Sequence, residues 1–334
     1  MRGVVLRSGC ARFVAALLFA WSHGCAGAAR EADGPRAPYE PPPLDGVRGT
    51  GVSTSEAVRP ELSGEGEGWV VGRIAGLPLT ARELFVEWQR RAPREFWFVA
   101  DKLVAARLAQ VEASRLGLRM TAELVQREVA LDRERQEEEL RRAADGAPLE
   151  AFLRRSLGFE PEAYFASLRQ GTLERLTAER VVRAWTLSRS SRSVRVIAVP
   201  GTAGDAGAVE VRRRLDAGED FAAVARALSI DDTAAAGGLV PFLLDEAGSP
   251  LARMAFLAGV GELVGPLDSG PNQLFLRIES ERVPREGPWR EVGELVEETL
   301  AAHPVGDAEY LLWKLAMDRQ HTVDLGPLEQ LARE

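Results

Sequence analysis

Apolar side chains recur every three or four residues over most of residues 81–188, and this spacing is typical of amphipathic helices. The pattern is clearest in 96–118, where Gly117 marks the end of the helix. The next stretch, 121–144, mixes acids and bases along most of its surface, which indicates a solvated helix face. The first part of the chain is therefore predicted to be helical, and the same period returns in the tail, 288–320.

Two shorter signals precede these helices. Residues 69–80 predict a short strand, a turn at Ala75–Gly76 and a second short stretch. Thr80 followed by Glu83 has the spacing of a capping box, in which each side chain bonds to the other residue's backbone N–H. We therefore expect the first helix to begin directly after Thr80.

The apolar period changes at residue 193, where a mixed segment begins. Residues 193–199 form a β-branched apolar run, which predicts a strand. Two helices, a loop, a second strand over 239–244, a third helix and a turn followed by a last strand come after it. The predicted order is therefore β-α-α-β-α-β.

The first 30 residues have a basic start, an apolar run over 13–21 and then small residues, which is typical of a secretory signal. Two processing sites compete. Residues 22–25 resemble a lipobox, which would make Cys25 a lipidated first residue, whereas 26–28 suit ordinary signal cleavage. A cysteine directly after the apolar run favours lipidation, and both alternatives place the mature protein outside the cytoplasm.

Residues 26–66 are rich in proline, glycine and charge and have no apolar period, so we expect a flexible linker. The chain therefore divides into a signal peptide over 1–25, this linker and a folded remainder. A linker after a lipidated cysteine would let the folded part stand away from a membrane.

Composition excludes several kinds of chemistry. The net charge is −8, so the chain lacks the basic surface that nucleic-acid binding needs. The two cysteines, Cys10 and Cys25, lie in the signal region, so no disulfide, cysteine nucleophile or cysteine metal site is expected in the folded part. Of the three histidines, only His303 and His321 lie beyond the signal region. We expect no metal and no cofactor.

Several short sequence motifs of the mixed segment form a specific combination. AGEDFAAVARALS occupies 217–229, Asp231 and Gly237–Gly238 follow it, and SPLARMAFLAGVGELVGPL occupies 249–267. This combination resembles the parvulin family (PpiC type) of peptidyl-prolyl cis/trans isomerases. The flanking residues resemble the SurA-like chaperone-isomerases of the bacterial envelope, and the resemblance covers about 68–334.

The resemblance implies an α+β fold, in which helical SurA-like parts surround a small parvulin domain whose antiparallel sheet is covered by helices. It implies a helical chaperone-like domain over 67–188, the parvulin-like domain over 193–283, and tail helices over 287–334 that pack on the N-terminal domain.

The resemblance also implies a site, from which the chain departs. Parvulins carry two facing histidines on the first and last strands, with a cysteine or aspartate between them. Here the first position is Val196, and the second is Leu274, or Gln273 if the loop shifts by one. The central acid is retained as Asp231. The implied substrate-binding residues are Val196, Leu239, Phe242, Leu251, Phe256 and Leu274.

Each site residue also has a structural interpretation. Asp231 either takes part in catalysis or braces its loop by accepting backbone N–H bonds. Asp232 is expected to face solvent, and Gly237–Gly238 to supply positive φ angles. Met254 is expected in the core, and His303 and His321 are expected at the surface or between helices.

The resemblance implies a periplasmic foldase that binds unfolded or extended polypeptides in a cradle of the N- and C-terminal helices. Prolyl isomerisation is the family's reaction, and the missing histidines predict a weak rate, so whether the chain is an enzyme stays open. The alternative is a non-catalytic chaperone or assembly factor with a degenerate parvulin domain. A helical structural lipoprotein is a third hypothesis, which leaves the motifs of 217–267 unexplained.

Overall fold

The computed structural model describes residues 70–143, 148–201, 206–245 and 250–331. The predicted signal peptide, the linker and Cys25 lie outside the described residues. Among the described residues, none of the helices has both the length and the apolarity that crossing a bilayer requires.

The folded chain forms two compact units, and the larger one spans Val104–Thr322. The described part of the smaller unit comprises 70–103 and 323–331. This division differs from the sequence prediction of three folded parts, because the long helix before the mixed segment packs against both tail helices.

The smaller unit begins with a hairpin of strands β1 (Val70–Ile74) and β2 (Leu77–Thr80), which pair antiparallel. Helix α1 (Ala81–Arg91) starts at the predicted capping box: the Glu83 N–H donates to Thr80 Oγ1 at 3.2 Å, and the Thr80 N–H donates to Glu83 Oε2 at 2.8 Å. Helix α2 (Pro93–Leu116) then runs into the larger unit.

Helices dominate the first part of the larger unit, as the apolar period predicts. Helix α3 (Ala122–Ala143) is followed by the short α4 (Leu149–Phe152), which continues as a π-helical turn (Leu153–Leu157). Helix α5 (Pro161–Leu187) has its proline in the first turn, where a missing N–H costs nothing.

A four-stranded antiparallel sheet follows α5, in the order β4-β3-β6-β5. Its strands are β3 (Ser191–Pro200), β4 (Leu239–Leu244), β5 (Leu263–Ser269) and β6 (Asn272–Arg282). The sequence predicted β3, β4 and β6 but not β5. The reason is a Gly265–Pro266 pair, which has the pattern of a turn and here lies at an irregularity of an edge strand.

Helices cover both faces of the sheet. Helices α6 (Ala206–Asp216) and α7 (Phe221–Leu228) pack on one face, which β3 supplies with Ile197 and Val199. Helix α8 (Pro250–Leu257) packs on the other face, which contains Val194 and Val196. The alternation of side chains along β3 therefore separates the two cores. The α+β prediction is confirmed.

The tail forms helices α9 (Trp289–Ala302), α10 (Asp307–Gln320) and α11 (Gly326–Leu331). Both α9 and α10 contact α5. Arg183 of α5 is fully buried and binds both carboxylate oxygens of Glu309 in α10, at 2.8 and 3.1 Å. One turn earlier, Arg180 binds Glu297 of α9 at 2.7 and 2.8 Å. Two arginines of one helix thus hold both tail helices.

Candidate functional site

An apolar cluster between the sheet and α8 is the candidate site. Four of the six predicted substrate-binding residues belong to it: Val196, Leu251, Phe256 and Leu274. Ala198 pairs with Leu274 and Val196 pairs with Leu276, so Val196 and Leu274 share one sheet face on neighbouring strands. Val196 is buried, whereas the other three are half-buried. The cluster therefore has one buried member on the sheet and three members that solvent or a ligand can partly reach.

The pairing also separates the two alternatives for the last-strand position. Gln273 pairs with Val199, whose side chain belongs to the opposite core. Leu274 is therefore the residue that lies on the same face as Val196. Both positions at which the resemblance implies histidines carry aliphatic side chains.

Leu239 and Phe242, the other two predicted residues, do not join the cluster. Leu239 pairs with Arg195, so its side chain follows the face opposite to Val196. Phe242 is buried in a separate core with Ala184 and Val296. Strand β4 instead supplies Val240 and Leu243 to the cluster, and sequence reasoning missed them because the register of β4 is set by pairing with β3.

Two arginine side chains lie over the ring of Phe242. The guanidinium carbon of Arg183 lies 4.2 Å from its ring centroid, and that of Arg282 lies 4.9 Å away. His303 meets the ring edge-on at 6.4 Å. Phe242 thus links strand β4 to α5 and to the end of α9, which is a packing role within the larger unit.

Both carboxylate oxygens of Asp231 are bonded by its sequence neighbours. The Thr233 backbone N–H donates to Oδ1 at 2.7 Å, the Thr233 hydroxyl donates to the same oxygen, and the Ser229 hydroxyl donates to Oδ2. Ser229 accepts the backbone N–H of Ala198 at 2.9 Å, so this loop is tied to β3. These contacts support the loop-bracing interpretation, and a catalytic role of Asp231 stays a prediction. Asp232 is exposed, as expected.

The glycine pair after this loop passes directly over β3. Gly237 and Gly238 have φ angles of +67° and +77°, as the sequence predicted. The Val196 N–H donates to the Gly238 carbonyl at 2.8 Å. An added Cβ at Gly238 would lie 2.1 Å from the Val196 carbonyl oxygen, so close approach to the strand also requires glycine here.

The two histidines lie away from the cluster. His303 lies beside Phe242, and His321 Nε2 is 3.0 Å from Oε1 of Glu112, a buried residue of α2. Among the described residues, no group of three or more His, Cys, Asp or Glu side chains is placed to hold a metal ion.

No protein-family model matches the chain, and no curated protein matches it. A search of solved structures does find matches. A PpiC-type peptidyl-prolyl cis-trans isomerase domain is 27% identical, with 30% of this chain and 98% of that chain covered and a TM-score of 0.27. The chain is therefore similar to a parvulin-type domain over about a third of its length.

Two longer matches are similar to the parvulin-like segment together with its flanks. PrsA from Bacillus subtilis is 14% identical, with 79% of this chain and 98% of that chain covered and a TM-score of 0.29. A structure from work on the SurA-like chaperones PEB4 and Cj1289 of Campylobacter jejuni is 15% identical, with 76% and 99% covered and a TM-score of 0.26. These TM-scores are low, so the function of the parvulin-like segment is inferred from the contacts of its own residues.

Proposed function

We propose that the chain is an exported foldase of the parvulin type, which binds unfolded or extended polypeptides and isomerises prolyl bonds at a low rate. The observation that carries this proposal is the apolar cluster, because it gathers Val196, Leu251, Phe256 and Leu274 on one face of the sheet. A proline ring is apolar, and partly accessible aliphatic and aromatic walls are suited to hold it.

Rotation about an X–Pro bond needs no nucleophile, metal or cofactor. Its barrier of about 18–20 kcal/mol comes from amide resonance, and a catalyst lowers it by favouring the twisted amide over the planar one. An apolar cluster can bind the proline ring and exclude water from the rotating amide. The aliphatic Val196 and Leu274 cannot steer the rotating carbonyl by hydrogen bonds, which is why we expect a low rate.

The second candidate function is a non-catalytic chaperone or assembly factor. The contacts of Asp231 favour it, because both carboxylate oxygens are already engaged within residues 229–233. In this case the cluster would bind extended chains without accelerating rotation.

Exposed apolar side chains of the smaller unit support client binding. Ile74, Leu77 and Leu103 are 68%, 73% and 59% exposed. Several exposed apolar side chains within one small unit are a feature of interaction sites. We propose that this surface contacts apolar segments of unfolded clients. Its further exposed members are Val71, Leu84, Phe85, Trp88, Phe98 and Val99.

The two candidate functions are separated by refolding of a model protein whose slow phase is proline isomerisation. The foldase proposal predicts a modest acceleration that is lost in Phe256→Ala, whose side chain belongs to the cluster. Asp231→Ala is measured in parallel to test its catalytic role. A rate equal to that in buffer, with suppression of client aggregation intact, would contradict isomerisation and leave the chaperone function.

The client surface is tested by aggregation of an unfolded protein. The double variant Ile74→Glu and Leu77→Glu should suppress aggregation less than the wild type, because it places charge on the proposed surface. The matched control is Val209→Glu with Leu311→Glu, two positions of the larger unit that are 62% and 57% exposed. Equal losses in both double variants would argue against a localised client surface.

Export and membrane anchoring through Cys25 are tested by cell fractionation. Cys25→Ser should move the protein from the membrane to the soluble periplasmic fraction if Cys25 is lipidated. An unchanged distribution would exclude the lipid anchor and favour ordinary signal cleavage at residues 26–28.

A further inference from the structure

Arg192 of β3 connects the sheet to the helix that forms one wall of the apolar cluster. We propose that Arg192 is a positioning residue, which holds α8 and the Phe256 ring in place and thereby sets the spacing between α8 and the sheet at the apolar cluster. This inference rests on the proposed function, since the apolar cluster is taken to bind client side chains.

The contacts of Arg192 reach both the backbone and the aromatic ring of this wall. Nη1 donates to the carbonyl oxygens of Ala255 and Ala258, and Nη2 donates to Glu281 Oε2 at 3.0 Å. The guanidinium carbon lies 5.2 Å from the centroid of the Phe256 ring, within the range of a cation–π interaction. The Arg192 residue is only 8% exposed.

The carbonyls that Arg192 binds lie at the end of α8, where backbone oxygens lack partners within the helix. A cation there satisfies these oxygens and complements the negative end of the helix dipole. Arg192 therefore fixes α8 at the end that carries Phe256.

The large side chains of α8 that pack against the sheet cluster, Leu251, Met254 and Phe256, stay partly exposed. The residues of α8 that are fully buried are alanines, Ala252 and Ala255, with Ala258 directly after the helix. Alanine buries little apolar area, so packing alone stabilises this contact less than leucines would. The polar contacts of Arg192 then contribute a larger share of what holds the helix.

Arg183 provides a matched control within the same unit. It is also buried, binds a carboxylate (Glu309), donates to the His303 carbonyl at 2.9 Å and lies over a phenylalanine ring. Its ring is Phe242, which is outside the apolar cluster. Replacing Arg183 removes a similar set of contacts without changing a contact of the apolar cluster.

The first measurement follows the position of α8 without using any ligand. Cys10 and Cys25 are the only cysteines of the chain, so both are replaced by serine, and spin labels are attached at Leu257→Cys and Val209→Cys, which are 81% and 62% exposed. The distance distribution between the labels should be narrow in the parent and in Arg183→Met, and should broaden or shift in Arg192→Met. An unchanged distribution in Arg192→Met would overturn the proposal.

The second measurement compares affinities for two peptides that differ only by Pro→Ala, at a temperature where every variant is folded by near-ultraviolet circular dichroism. Arg192→Met should reduce the preference for the proline peptide about five- to tenfold, since a displaced Phe256 ring no longer fits proline. Arg183→Met should keep the preference. Arg192→Lys should restore part of it, because lysine keeps the cation near the ring without the guanidinium fork.

The outcomes distinguish this inference from the proposed function. If the wild type shows no preference for the proline peptide, the proposed binding of proline by the apolar cluster is wrong. The distances between the spin labels then decide the role of Arg192. If the wild type prefers proline and Arg192→Met keeps that preference, the positioning role is wrong. If Arg192→Met does not fold, Arg192→Lys carries both measurements, and wild-type values in both would overturn the proposal.

Discussion

Gly238 shows how closely single residues are constrained around the candidate site. Its carbonyl accepts the Val196 N–H, and its φ of +77° lies in the left-handed region. A side chain would collide with the backbone of β3, because the ideal Cβ position is 2.1 Å from the Val196 carbonyl oxygen. Backbone cannot move away as a flexible side chain can, so glycine is required for both conformation and space.

We therefore expect Gly238→Ala to lower the free energy of unfolding by at least about 3 kcal/mol, as left-handed strain and the clash add. Gly218→Ala is the control, since Gly218 has a φ of +81° but nothing within 4 Å of its Cβ position. That variant should lose only about 1 kcal/mol. Urea unfolding measures both, and equal losses would show that the contact with β3 does not matter.

Tyr164 is a second residue whose surroundings have a measurable effect. Its hydroxyl donates to Gln136 of α3 at 2.9 Å. Burial raises the pKa of Tyr164 above its usual value, with a smaller contribution from Asp132. The folded state therefore favours the neutral phenol.

The unfolded chain loses the Tyr164 proton first as pH rises, because its pKa is the lower one. The stability contribution is complete below about pH 10 and is lost above it. Tyr164→Phe should flatten the fall of unfolding free energy above about pH 10. Urea unfolding at several pH values tests this, and identical slopes in both proteins would contradict it.

At the scale of elements, α5 joins the tail helices through two ion pairs that differ in burial. In the pair of Arg183 and Glu309, both side chains are almost fully buried. In the pair of Arg180 and Glu297, the arginine side chain is only 7% exposed, but the carboxylate is 47% exposed. Removing a buried partner leaves a desolvated charge behind, whereas water can take the place of a partner that was itself exposed.

Glu309→Gln should therefore cost about 3–5 kcal/mol of unfolding free energy, and Glu297→Gln about 1 kcal/mol or less. Both variants replace a glutamate by glutamine, and the arginine partners of the two glutamates lie one turn apart on α5. Each variant is therefore the control for the other. Chemical denaturation followed by circular dichroism measures the difference. A similar loss in both would mean that burial does not determine the strength of these pairs.

At the scale of the whole molecule, the two units differ in how much core they contain. Among the described residues 70–103, only Phe96 is buried. The larger unit contains several clusters of buried side chains, including those on both faces of the sheet. Local unfolding free energy follows buried apolar contact, so the smaller unit should open more readily.

Hydrogen exchange followed by mass spectrometry should show fast exchange over 70–92 and slow exchange in β3, β6 and the second half of α5. The central strands β3 and β6 pair on both sides, and α5 is buried from Val181 to Leu187. Comparable protection in the hairpin β1–β2 and in β3 would contradict a difference in local stability.

The sequence by itself determined what depends on residues close together in the chain. The helical period, the capping box at Thr80 and Glu83, the proline in the first turn of α5 and the positive φ at Gly237–Gly238 are all local, and each is confirmed. Val196, Leu251, Phe256 and Leu274 are distant in the chain, so no local pattern grouped them; the resemblance to parvulins did, and they lie in one cluster.

Only the tertiary structure decided what depends on pairing between distant segments. The register of β4 against β3 turned Leu239 and Phe242 away from the cluster and brought Val240 and Leu243 in. The partners of Arg183 lie 120 to 126 positions away along the chain, and those of Arg192 lie 63 to 89 positions away. The sequence shows that an arginine is present. Packing between distant segments decides whether it is buried and which group compensates its charge.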